Sequence, residues 1–255
     1  MTGYSDISYA TGDGVARIAL ARPDKLNAFR NETADQIGHA LARAEDDPDV
    51  RAVILTGEGR AFGAGYDLAA LAEGTTPDLG HVLEAHFNPL VRQMRHSPLP
   101  IVAAVNGPCA GAAVGIALAA DIVLAAKSAF FYEPFVGIAL VPDAGNTLFL
   151  TQMMGRMRAA GMMLLGDRIG AEQACDWGLV WKVVEDAALA GEADAIAKKL
   201  ATLAPHAVAG TKKLIAQAGD VGLDDALDTE RDLQDAAGRT PEMQAAIKAF
   251  FAARK

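Results

Sequence analysis

From position 97 to position 120 the chain carries no charged side chain, and Asp121 follows at once. An uncharged run of that length belongs either in a bilayer or in the middle of a core. Asn106, Gly107, Pro108 and Gly111 interrupt it, so it reads as three pieces rather than one span. A buried strand covers 101–105, a glycine loop covers 107–111, and a helix of small residues follows. Positions 121–125 then return as another strand. Strand, loop and helix repeated in this order predict a layered α/β protein.

The rest of the chain fits that plan. Positions 15–20 (VARIAL) predict a strand, and 21–28 a polar loop containing Pro23. A helix follows with Asn31 or Thr33 as its cap and Ile37 and Leu41 on its apolar face. The acidic stretch 45–49 ends it. Positions 51–56 predict a second strand, feeding a glycine-rich loop at 57–65. An exposed loop is expected over 73–80 and a helix over 81–96, with Pro98 and Pro100 at its exit. Helical segments dominate after 190: 190–203, 208–218, 223–237 and a last one from Pro241. The expected division is a core over 1–195 and a helical appendage over 196–255, whose apolar face packs within the subunit or against a neighbour.

Composition narrows the function classes. Apolar residues make up 51% of the 255 residues, enough to build a core. A formal net charge of −9 argues against broad nucleic-acid binding, although a local basic rim still suits an anionic ligand. Arg22, Lys25, Arg51 and Arg60 offer such a rim, or simply a solvated surface. Cys109 and Cys175 imply no disulfide framework, and the five histidines show no metal-ligand spacing. No metal and no nicotinamide or flavin cofactor is expected. The N-terminal residues do not read as a secretory signal, and a cytoplasmic location is expected. Neither glycine loop completes a dinucleotide fingerprint.

Two loops and one carboxylate could carry chemistry. The loops are AFGAGYD at 61–67 and NGPCAGA at 106–112. Each follows a strand, and each is small enough for its amides to approach a ligand. They are either two packed turns or, if they converge, the donors for a developing oxyanion. Asp143 sits in LVPDAG at 140–145. It reads either as the N-cap of a helix over 144–154 or as a proton-exchanging group beside an apolar cavity. Glu133, just before Pro134, offers a second carboxyl; a surface or salt-bridged role fits it equally. Cys109 reads as a small buried side chain rather than a nucleophile, since no acid–base partner is evident.

Taken together, RPDKLNA at 22–28, AFGAGYDL at 61–68, AVNGPCAG at 104–111 and GIALVPDAG at 137–145 resemble the enoyl-CoA hydratase/isomerase, or crotonase, superfamily over nearly the whole chain. The resemblance implies a spiral of β-β-α units with a C-terminal helical trimerisation region, assembled as trimers or as hexamers of two trimers. It implies an acyl-CoA thioester substrate, so that coenzyme A enters as part of the substrate. The Tyr66 and Ala112 N–H groups would form the oxyanion hole. Lys25, Leu26 and Ala28 would lie at the coenzyme A entrance, and Ala64, Asp67 and Leu68 at the adenine side. Gly111 would also contact the bound thioester. The terminal segment 250–255 would reach a neighbouring subunit's coenzyme A.

The departures from the family pattern sharpen the expected reaction. Where a hydratase of this family carries its two catalytic glutamates, this chain has Gly115 and Phe135. Ordinary hydration is therefore not expected. Asp143 matches the single acidic residue of the phenylacetate-pathway ring-epoxide isomerases. The segments at 81–94, 164–167 and 174–179 resemble that subgroup too, whereas Asn146 stands where glycine is more usual. The leading expectation is isomerisation of 2-(1,2-epoxy-1,2-dihydrophenyl)acetyl-CoA to oxepin-CoA, with Asp143 carrying the proton. The alternatives are Δ3,Δ2-enoyl-CoA isomerisation or, further off, a non-catalytic acyl-CoA-binding or assembly role.

Overall fold

Asp13 and Gly14 both adopt left-handed backbone, with φ of 52° and 78°. Such a two-residue turn matches the twist of a hairpin. It folds β1 (Ile7–Gly12) antiparallel onto β2 (Val15–Leu20) in the computed structural model, which describes residues 3–71 and 78–252. The helix α1 (Asn31–Asp46) then crosses to β3 (Ala52–Gly57). Its cap is Arg30 rather than Asn31 or Thr33. Thr33 closes the first turn from inside, its hydroxyl accepting the Arg30 N–H at 3.0 Å.

The expected loop at 73–80 lies largely outside the described residues. Its end is already helical, in α2 (Leu79–Val82), capped by the Asp78 side chain. A wide π turn at Leu83–Phe87 joins α2 to α3 (Asn88–His96). The uncharged run then folds as β4 (Ile101–Val105), a short β5 (Pro108–Ala110) and α4 (Ala112–Leu118). After it come β6 (Ile122–Ala126), β7 (Phe130–Tyr132), α5 (Asn146–Met154) and α6 (Arg156–Leu165). β8 (Ile169–Gly170), α7 (Ala171–Asp176), β9 (Lys182–Val184) and α8 (Leu189–Ala201) follow.

The main sheet has the order β1-β2-β3-β4-β6-β9, and every pair after the hairpin is parallel. Its inner strands β4 and β6 are unbroken apolar runs, as strands covered on both faces should be, while Arg17 interrupts β2 and Thr56 lies near the end of β3. A second sheet, β5-β7-β8, stands apart from the first. Phe29, Phe62, Phe87 and Phe131 are the largest fully buried side chains of the core among the described residues. Among the described residues no helix is long and apolar enough to cross a membrane.

The chain forms two compact units, Met1–Ala201 and Thr202–Lys255. α8 therefore runs unbroken through position 195, with both Ala193 and Ala197 buried. The second unit contains α9 (Pro205–Gln217), α10 (Leu223–Gly238) and α11 (Pro241–Ala252).

Candidate active site

Neighbouring parallel strands β3 and β4 leave the sheet side by side, paired from Val53↔Ile101 to Thr56↔Ala104. Ligand sites in such sheets gather beyond the carboxyl ends of the strands, and both glycine loops start there. They converge. Gly63 pairs with Cys109, and the Ala110 N–H donates to the Gly63 carbonyl at 2.9 Å. The Phe62 and Gly63 N–H groups both donate to the Pro108 carbonyl at 3.1 Å. At the tips, a Cβ placed on Gly111 would lie 3.7 Å from the Gly65 Cα. Gly111 also holds φ at 55°, a conformation that only glycine adopts without strain.

Past these tips stand Tyr66 and Ala112. Among the described residues neither N–H is spent on another group; Ala112 opens α4, where the first amides have no partner within the helix. Both residues line one apolar pocket. The Tyr66 ring packs edge-on against Phe87 at 5.9 Å, and its hydroxyl donates to Asn31 Oδ1 at 3.2 Å. The phenol is therefore occupied elsewhere.

Asp143 is the one carboxyl among the described residues lining that pocket. It is not the expected N-cap. Ala144 and Gly145 both turn left-handed, with φ of 51° and 84°, so that α5 starts three residues beyond Asp143, on Gly145. The Asp143 carbonyl closes this turn by accepting the Asn146 N–H at 2.9 Å. The side chain is left to face the pocket. Burial disfavours its charged form and raises its pKa to about 6.

Apolar side chains supply the remaining walls. Leu79, Val82, Leu83 and Phe87 come from α2 and the π turn, and Phe135, Ile138 and Leu140 from the segment before Asp143. The sequence expectation at positions 115 and 135 acquires a steric reason. A Cβ on Gly115 would meet the Ala144 carbonyl oxygen at 2.3 Å, so this backbone admits no side chain there. Phe135 is buried and presents a ring.

The other expected ligand residues divide. Ala64, Leu68 and Gly111 line the pocket with Tyr66, Ala112 and Asp143. Lys25, Leu26, Ala28 and Asp67 do not. Lys25 is exposed at the end of a short turn, and Leu26 is left-handed, with φ of 50°. Arg22 belongs to no surface rim: its guanidinium donates to the Ala28 carbonyl and, at 2.9 Å, to Asp67. That bond holds the Asp67 carboxyl below its ordinary range. Of the segment 250–255, only Phe250, Phe251 and Ala252 are described.

The sequence assigns no role to one contributor, Asn27, and leaves two open for another, Glu133. Asn27 is buried and pins the first loop, its amide donating to the Glu58 and Ala61 carbonyls at 2.9 and 2.7 Å. Glu133 is neither on the surface nor salt-bridged. It is fully buried, and neither carboxyl oxygen has a hydrogen-bond partner among the described residues. Cys109 is buried as expected, and burial pushes its thiol well above the ordinary range. No cluster of three or more candidate metal ligands occurs among the described residues.

Comparison with known proteins identifies the family. The family model described as Enoyl-CoA hydratase/isomerase matches residues 10–255. The 1,2-epoxyphenylacetyl-CoA isomerase of Escherichia coli (strain K12) is 43% identical over 94% of this chain and 93% of its own. A Rhodobacter capsulatus protein named "Probable enoyl-CoA hydratase" is 39% identical over 98% and 96%. Among solved structures, an enoyl-CoA hydratase from Polaromonas sp. JS666 superposes with a TM-score of 0.91 at 31% identity, covering 96% of both chains.

Proposed function

Because the chain belongs to the enoyl-CoA hydratase/isomerase family, we propose that its pocket isomerises an acyl-CoA thioester, with Asp143 as the proton carrier. The observation that carries this reading is the setting of Asp143. Among the described residues it is the one carboxyl in an apolar pocket that is also lined by Tyr66 and Ala112. The thioester oxygen accepts from both N–H groups, which stabilise the negative charge that grows there as the adjacent carbon loses its proton. Asp143 takes that proton and returns it at another carbon. Nothing is added or lost, so one carboxyl suffices. Hydration needs a second group to activate water, and Gly115 and Phe135 supply none.

The substrate proposed is 2-(1,2-epoxy-1,2-dihydrophenyl)acetyl-CoA, and the product oxepin-CoA. Two observations support this choice: the 43% identity to a relative named for that substrate, and aromatic and aliphatic walls suited to a ring. Coenzyme A enters as part of the substrate, with no separate cofactor. A trimer or hexamer belongs to the same reading; the exposed Leu223, Leu227, Ile247 and Phe250 support it.

Purified protein offered the ring epoxide, a 3-enoyl-CoA and a 2-enoyl-CoA should form oxepin-CoA from the first, identified by mass spectrometry and NMR. Exclusive double-bond migration would reject the substrate, and dominant hydration would reject the isomerase reading.

The raised Asp143 pKa also predicts a pH profile. A base works only when ionised, so activity should be close to full at neutral pH and fall as pH drops through about 6. The limb should have a slope of about tenfold per pH unit. Exchange of the substrate's α-proton in deuterated buffer, followed by NMR, measures it. A limb near pH 4 would place the base in a solvated site.

A further inference from the structure

Glu133 has no part in the chemistry so far, yet it is built into the turn that carries Asp143. It directly follows β7. The Gly111 N–H donates to the Tyr132 carbonyl at 2.9 Å, and the Asn146 amide donates to the Gly111 carbonyl at 3.0 Å. The Asn146 N–H in turn donates to the Asp143 carbonyl at 2.9 Å. Three hydrogen bonds therefore tie the residue before Glu133 to the Asp143 turn. The next residues, Pro134 and Phe135, form pocket wall, and Glu133 itself stands behind it, fully buried.

The buried side-chain atoms left without a partner here are all oxygens. Both Glu133 carboxyl oxygens, Asp143 Oδ1 and Asn146 Oδ1 lack a hydrogen-bond partner among the described residues. An amide oxygen and an ionised carboxylate only accept, and buried acceptors without a donor are costly. The single group in the set able to gain a donor while Asp143 works as a base is Glu133, by keeping its proton.

We propose that Glu133 is a positioning residue for Asp143: a proton-bearing carboxyl behind the pocket wall that supplies this acceptor cluster with its donor and leaves Asp143 its only anion. The inference rests on the reading of Asp143 as the base. Electrostatics agree with it. Burial first, and the Asp143 charge second, raise the Glu133 pKa to about 9. Few other charges bear on it. The Cys109 thiol is neutral, and α4 and α5 carry no charged side chain. Arg168 lies over the Phe130 ring at 4.7 Å, and Asp167, Arg156 and Arg158 on the flanking elements are exposed. Above pH about 9 Glu133 ionises. A second negative charge then opposes both the Asp143 carboxylate and the growing oxyanion, so the rate should fall.

The test combines infrared titration with three variants. In wild-type protein carrying 13C-labelled glutamate, a protonated-carboxyl band should persist at neutral pH and disappear with a midpoint of about 9. It should be missing from E133Q. Glutamine donates but cannot ionise, so E133Q should flatten the alkaline limb of the rate profile. E133M, with no donor, should lower kcat about 10-fold, the worth of one hydrogen bond to a charged group. Its KM should stay within about 2-fold, and E133Q should recover most of the loss in kcat. A wild-type spectrum with no such band at neutral pH overturns the proposal, and that measurement needs no variant to fold. An alkaline limb persisting unchanged in E133Q overturns it too. D143N separates the two readings. If D143N retains proton exchange, the base is not Asp143 and the positioning role falls with it. If D143N is inactive and E133Q keeps the wild-type alkaline limb, only the role of Glu133 is lost.

Discussion

Replacing Asp143 with asparagine should lower kcat about a thousandfold, the range expected when a positioned general base is removed. Asparagine keeps the size and planarity of the side chain, so the walls formed by Phe135 and Leu140 have no cause to move, and KM should change little. The loss should not come from unfolding. In the wild type, burial has raised the carboxyl to about 6 from an ordinary value of 3.8. The folded state therefore holds its proton more tightly than the unfolded chain does. Ionisation opposes folding as pH rises between those two values, and the penalty is fully present above about 6. D143N escapes it and should melt no lower than wild type at pH 8. An inactive protein with an undiminished Tm is the expected pair of results. Wild-type turnover in a folded D143N protein would remove Asp143 from the mechanism.

The second large effect concerns stability. Gly115→Ala places a methyl group 2.3 Å from the Ala144 carbonyl oxygen, with the carbonyl carbon at 3.0 Å. The obstruction is backbone, which has no rotamer with which to give way. Overpacking of this kind costs about 3 kcal/mol. For a chain of this size that is a fall in Tm of about 10 °C, measured by thermal unfolding. Activity should drop as well, because any retreat of Ala144 moves Asp143. The same contact bears on attempts to install hydration. Gly115→Glu restores a carboxylate by sequence but forces the two segments apart, and it should yield unstable protein rather than a hydratase. A G115A protein melting with wild type would show that the α4–Ala144 approach is looser than its geometry implies.

The sequence was most informative where burial is uniform. VARIAL at 15–20 and IVAAV at 101–105 have little choice but to be inner strands, and both appear with the bounds that pattern suggests. β1 was not legible because five of its six residues are at least partly exposed. β7 and β8 were too short to show a period. At the site, the two glycine loops and Asp143 could be found from residue type and order. Their convergence could not, since it depends on the parallel register of β3 with β4. The capping reading of Asp143 failed for a local reason. Two successive left-handed residues delay α5, and Ala144 gives no warning of that conformation. Glu133 reads equally as a second carboxyl paired with Asp143 and as a surface or salt-bridged group. Only the pairing of β7 between β5 and β8 puts it inside, and such non-local contacts leave no mark on neighbouring residues.

The π turn at Leu83–Phe87 has a consequence for how this pocket can diverge. Beyond it, Leu90 and Met94 anchor α3 in the core; on and before it, Leu79, Val82, Leu83 and Phe87 meet the pocket. A π turn accommodates one residue more than an α turn, and such turns gather at functional sites. Inserting or deleting a single residue there rotates the pocket-side residues relative to the anchor. The set of pocket-lining side chains then changes in one genetic step, while Asp143 and Ala112 lie on other segments. On the proposed reading, substrate range and proton transfer would rest on separate segments, with the turn as the seam between them.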